Sequence, residues 1–177
     1  TTLSNLASPT AINESLLPSV SYLTLGNPTK RWRFIYFDSA IWIKNQRSIY
    51  ARGTGNFFTG VNAGNFTFTG TDNSAFGQMA LSNFTLGYRN TAIGSGSLSS
   101  LNIGGDNVAV GYGVMFASTG GNFNTAVGNY SLYNSSGERN TAIGFRSMNN
   151  NSTGSYNDAT GTFALYDNTT GSYNTAN

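Results

Sequence analysis

The sequence predicts an all-β chain, most of it a parallel β-solenoid with 17-residue coils, preceded by a small β module. Three observations carry this. First, Asn recurs at Asn56, Asn73, Asn90, Asn107, Asn124, Asn140, Asn157 and Asn174; six of the seven intervals are 17 residues, and Asn124 to Asn140 is 16. Second, two glycine columns keep the same step: Gly60, Gly77, Gly94, Gly111, Gly128, Gly144 and Gly161, then Gly70, Gly87, Gly104, Gly121, Gly137, Gly154 and Gly171. Third, charged residues are 9% of the 177, against roughly 25% in an ordinary soluble domain, while Gly, Tyr and Phe number 22, 10 and 12. A fixed period of this length is the mark of stacked repeats. Disordered chains are charged and poor in aromatics, so this composition argues against disorder.

Each unit reads as strand, Gly turn, strand, Gly turn. Seventeen residues are too few for a helix pair or a strand-plus-helix unit, and frequent Gly weakens any helix. The one-residue deletion precedes Gly137, which marks Tyr133–Ser136 as a turn. Within "NTAIG", Ala and Gly face one way while Thr and the aliphatic face the other, because side chains alternate along a strand. The Ala column (Ala75, Ala92, Ala109, Ala126, Ala142, Ala159, Ala176) then lines a narrow interior. A second apolar column, Leu81, Leu98, Met115, Leu132, Met148 and Leu165, begins with Gly64, so the first unit is degenerate, as a terminal repeat should be. The opposite face carries Ile93, Val110, Val127 and Ile143. A single roll cannot cover that stripe itself, so it reads as an interface between identical chains, most simply around a threefold axis.

Equivalent residues of adjacent coils should lie ~4.8 Å apart, close enough for Asn amides to bond up the stack as in cross-β ladders. About seven coils would extend on the order of 35 Å. The column before the Asn reads Asp72, Arg89, Asp106, Phe123, Arg139, Tyr156, Tyr173. Stacking would alternate charge along Asp72–Arg89–Asp106 and would set Arg139 between Phe123 and Tyr156, a favourable guanidinium–aromatic contact.

Residues 1–52 do not follow the period and read as a β connector module, with Gly26-Asn27-Pro28 as a turn; 53–177 form the repeat. Six of the nine Lys and Arg lie between Lys30 and Arg52: Lys30, Arg31, Arg33, Lys44, Arg47 and Arg52, interleaved with Trp32, Phe34, Tyr36 and Trp42. This cluster reads as a solvated β face with aromatics buried at a trimer junction, ahead of a surface for anionic glycan or membrane. The rest of the chain lacks the basic spread that follows a nucleic-acid backbone. The chain opens without Met and stops inside a motif at Asn177, so it reads as a segment of a longer protein.

No catalytic chemistry is visible. There is no His and no Cys, which removes the commonest general base, thiolate ligands and disulfides. The seven carboxylates are scattered, and the glycines fall on structural columns with no phosphate-binding helix after them. The sequence therefore predicts no enzyme, no cofactor and no metal site. No run approaches the ~20 apolar residues of a membrane span. Tyr130, Tyr133, Phe145 and Tyr166, among Asn, Ser and Thr, form a candidate ligand surface on the turns.

"NTAIG" and "NTAVGNYSLYNSSG" resemble the head repeats of YadA-type trimeric autotransporter adhesins, over about Gly53 to Asn177. "LGNPTKRWRFIYF" is similar to a Leu-Gly…Arg-Trp…Ile-Tyr segment of phage tail fibres and of bacterial fibre proteins that end in a self-cleaving chaperone. The resemblance implies a left-handed parallel β-roll, an intertwined or side-by-side homotrimer, an extracellular location, and attachment to a surface or host through matrix protein or glycan. Phe76 and Thr160 depart from the Val or Ile usual in the motif. Two other functions stay open: a glycan-binding receptor module of a tail fibre, and a polysaccharide depolymerase with an intersubunit site.

Overall fold

The computed structural model describes residues 40–43, 46–51, 53–64, 69–83 and 86–177. They belong to a compact unit running from Phe37 to Asn177. The Gly26-Asn27-Pro28 turn and the basic, aromatic cluster lie outside the described residues, apart from the backbone of Trp42 and Arg47.

The unit is a β-solenoid. Its strands are β1 (Ala40–Ile43), β2 (Gln46–Tyr50), β3 (Phe57–Thr59), β4 (Ser74–Phe76), β5 (Thr91–Ile93), β6 (Val108–Val110), β7 (Thr125–Val127), β8 (Thr141–Ile143), β9 (Asp158–Thr160) and β10 (Thr175–Ala176). They form one sheet in chain order. The hairpin β1–β2 joins antiparallel to β3, with Ile49 opposite Thr59. From β3 onward all pairing is parallel, and the register holds Ala75, Ala92, Ala109, Ala126, Ala142 and Ala159 in one line. Three-residue strands suffice because each is paired on both sides and the next coil repeats the arrangement.

Each coil has one strand, not two. The second segment, from the motif Gly through the Leu/Met column, is a run of turns. Its residues alternate in handedness: in the third coil Gly94, Gly96 and Leu98 have φ of 124°, 69° and 50°. Successive peptide groups therefore point alternately along the stack. Gly96 donates back to the carbonyl of Gln78 at 2.9 Å, and Leu98 donates forward to Val114 at 3.0 Å. Inter-coil bonding is kept without β geometry. A left-handed non-Gly residue costs about 1–2 kcal/mol, which the bonding to both neighbours and the burial of Leu98 offset.

The core is thin. The Ala column faces Leu81, Leu98, Met115, Leu132 and Met148, all buried, with Leu165 partly buried at the last full coil. In the first coil the sizes are exchanged: Phe58 stands in the Ala line, opposite Ala75, and is fully buried, while Gly64 stands where later coils have Leu or Met. Gly77 shows why its column admits only glycine. Its φ is +139°, and an added Cβ would sit 2.6 Å from the carbonyl of Gly94 in the next coil.

The deletion is absorbed at Ser135–Gly137. Ser135 is still in step with Ser118, whose hydroxyl accepts its N–H at 3.2 Å. Gly137 has already reached the position of Gly121, since it receives the Asn124 amide as Gly121 receives that of Asn107.

Candidate functional site

Four features are built by the stack: a buried Asn spine, an outward apolar stripe, a corner column of charged and aromatic side chains, and an aromatic groove on the turns.

The spine consists of Asn56, Asn73, Asn90, Asn107, Asn124, Asn140 and Asn157, all buried. Each Oδ1 accepts the backbone N–H of the next Asn, at 2.9 Å for Asn90 onto Asn73 and 3.0 Å for Asn140 onto Asn124. Each Nδ2 reaches sideways to a Gly carbonyl at the corner of the next coil, as Asn90 does to Gly104 (3.1 Å) and Asn157 to Gly171 (2.8 Å). The role needs one acceptor and two donors on a short planar group, which Asn supplies and Asp or Ser does not. Gly77, Gly94, Gly111, Gly128, Gly144 and Gly161 end the strands beside it, every one at positive φ.

The apolar stripe is the outward face of β3–β8. In the column that begins at Thr59, Phe76, Ile93, Val127 and Ile143 are 39%, 42%, 36% and 42% exposed and Val110 is half-buried; Phe57, 43% exposed, stands in the neighbouring outward column. Phe57 and Phe76 touch, their ring centroids 5.6 Å apart. The row ends at Asp158 and Thr160 in β9, both exposed and polar.

The column before the Asn lies on a corner. Arg89 donates to Asp106 through Nε (2.6 Å) and Nη2 (2.8 Å). This bidentate hydrogen bond holds the Asp106 carboxyl below its ordinary range and the Arg89 guanidinium above its own, with a weaker attraction from Asp72. The Arg139 guanidinium lies 5.0 Å from the Phe123 ring and 5.4 Å from Tyr156, and donates to the Tyr156 hydroxyl at 2.9 Å.

The groove occupies the turn segments of coils two to five and holds ≈ 390 Å³. Its floor is Gly96 and Gly113; a Cβ on either would lie 3.0–3.1 Å from the ring of Phe116 or Tyr130. Tyr112 packs edge-on to Tyr130 at 5.2 Å, Phe116 stacks on Tyr133 at 5.6 Å, and Tyr130 meets Tyr133 at 5.9 Å. Partial burial, then a hydrogen bond with Tyr112, pushes the Tyr130 phenol above its usual value. Of the four turn residues expected from sequence, Tyr130 and Tyr133 line this groove, Tyr166 lines an adjoining cleft, and Phe145 contacts Phe163 at 5.6 Å. Tyr112, Phe116, Arg146 and the two floor glycines escaped the sequence reading. Their columns were countable in the 17-residue frame, at five, six and nine places after the Asn.

Among the described residues no group of His, Cys, Asp and Glu could hold a metal ion, and no helix is long and apolar enough to cross a membrane. Compared with known family models, curated proteins and solved structures, the chain matches none. Function is therefore read from geometry and motif alone.

Proposed function

We propose that this chain is a structural and adhesive segment of an extracellular homotrimeric fibre that mediates attachment to a surface or host. The observation that supports it best is the row of half-exposed apolar side chains along β4–β8. An apolar row repeated at every coil of a solenoid marks an interface rather than scattered surface hydrophobes. In this reading three left-handed rolls turn their stripes toward a common axis, and mutual burial adds to the ladder at roughly 25 cal/mol per Å² of apolar surface covered. The spine and the inter-coil backbone bonds make each roll a stiff spacer, and the turn faces point away from the axis, where a ligand can reach them. The head-repeat motif supports mechanical rather than enzymatic work.

Sedimentation equilibrium tests the proposal. The expected mass is three times the 18.8 kDa of one chain, concentration-independent in the micromolar range. A monomer at those concentrations would rule the assembly out.

A further inference from the structure

Two clefts lie side by side on the turn face and share Tyr130 and Tyr133. The larger is the Gly-floored groove, and no charged residue lines it. The smaller, ≈ 270 Å³, adds Arg146, Asn149 and Tyr166. Arg146 takes part in neither of the ion pairs formed among the described residues. Its guanidinium leans on the rings of Phe145 (5.3 Å) and Tyr130 (5.6 Å), which hold it in place without neutralising it. No acidic residue lines either cleft.

We propose that the paired clefts bind an acidic oligosaccharide, with a neutral sugar ring in the Gly-floored groove and the carboxylate or sulfate of the next unit on Arg146. The inference rests on the adhesive reading above and names its ligand class. Aromatic side chains give a sugar's C–H faces an apolar surface, while the Tyr hydroxyls, Gln78 and Ser95 offer hydrogen bonds to its hydroxyl groups; a mainly apolar cleft with few polar groups is the usual form of a small-ligand site. The Tyr130 phenol stays protonated at neutral pH and remains a donor. Arginine binds planar anions through its fork of donors, and a guanidinium already stacked on rings loses little freedom on binding.

Other ligands fit less well. A peptide added as a strand needs a free backbone edge, whereas the turn segments here bond to the coils on both sides: Tyr130 donates to Tyr112 at 2.9 Å and Leu132 to Ser147 at 2.9 Å. A cation finds no carboxylate. Nucleic acid would require several phosphate-neutralising side chains, and one arginine is present.

The test titrates the whole chain with uronic-acid oligosaccharides and their carboxyl-reduced, uncharged counterparts at low salt. The acidic member should bind at least about tenfold tighter, as one charge-assisted hydrogen bond supplies. Arg146→Gln should erase that preference without shifting the thermal melt, and Tyr133→Ala should weaken both members. Equal binding of the pair, or no binding by a chain whose melt and mass are intact, overturns the proposal. The mass measurement separates the two ideas: a monomer that keeps the tenfold preference retains the saccharide site and sinks the trimer, and a trimer that binds neither member does the reverse.

Discussion

The Oδ1 of Asn73 accepts two hydrogen bonds from Asn90, from the backbone N–H at 2.9 Å and from the side-chain amide at 3.0 Å. One oxygen thus fixes both the start of a strand and the side chain that will fix the next. Replacing Asn90 by Asp turns its Nδ2 into a second acceptor, which faces the Asn73 oxygen and the Gly104 carbonyl in a buried site. The new carboxylate oxygen is buried against acceptors with no donor, which costs about 1–3 kcal/mol and more when it is charged, so N90D should lower stability by roughly 3 kcal/mol. Because coils interact only with their neighbours, the half-buried terminal Asn174→Asp should cost less. Denaturant melts of the two variants under identical conditions check the ordering; equal losses would contradict it.

Gly77→Ala and Gly120→Ala form a matched pair. The first places a Cβ against the next coil's backbone at φ +139°; the second meets nothing nearer than 3.8 Å. A side chain in that sparsely populated region costs about 1–3 kcal/mol before any clash, so G77A should lower the melting temperature by several degrees. G120A should leave it within about a degree, since surface changes away from special features are usually within ±0.5 kcal/mol.

The strand columns were legible in the sequence because strand side chains alternate with period two and the one deletion falls outside the strand motif. The Arg89–Asp106 pair and the Arg139 sandwich followed from counting alone. The turn ribbon was not legible. Leu98, Met115, Leu132 and Met148 adopt left-handed φ of 47–50°, a region that Leu and Met do not advertise. It is imposed by bonding to coils above and below, a property of the stack and not of the residue. The groove was half legible for the same reason: its aromatics were visible, but Gly96 and Gly113 become a floor only when two coils without side chains at that column lie adjacent.

Ile93→Glu with Ile143→Glu tests the stripe. Both positions are already about 40% exposed, so charges there leave the single roll's core and spine untouched. In the trimer they would be buried at the interface, where an unpaired charge costs several kcal/mol. The double variant should sediment as a monomer with an unchanged far-UV spectrum. A trimer of unaltered affinity would place the interface elsewhere.

Acid should weaken the Arg89–Asp106 link in one direction only. The Asp106 carboxyl is held below its ordinary value, so the pair stabilises the fold above the unfolded pKa of about 4 and this contribution is lost as pH falls through the lower folded value. The raised Arg89 changes nothing until pH exceeds the arginine range. Asp106→Asn should therefore lower the melting temperature at pH 7 and at pH 5, and the gap from wild type should close by about pH 2. Added salt should narrow the gap at pH 7, since Arg89 is largely exposed and exposed charges are screened within about 10 Å at 0.1 M.

Ser97 and Ser131 allow a stabilising change. Both are fully buried, and neither hydroxyl has a partner among the described residues. Their column holds Ala63, Ala80 and Ala164 in other coils, so the site accepts Ala without strain. Ser147, in the same column, differs because its hydroxyl donates to the Ala159 carbonyl at 3.0 Å. Burying an unbonded hydroxyl costs about 1–3 kcal/mol. Ser97→Ala and Ser131→Ala should each raise stability by about 1 kcal/mol, additively because a whole coil lies between them, while Ser147→Ala should lower it. A calorimetric melt in which all three substitutions act alike would mean that the two hydroxyls are satisfied, by water or by rotation onto a carbonyl.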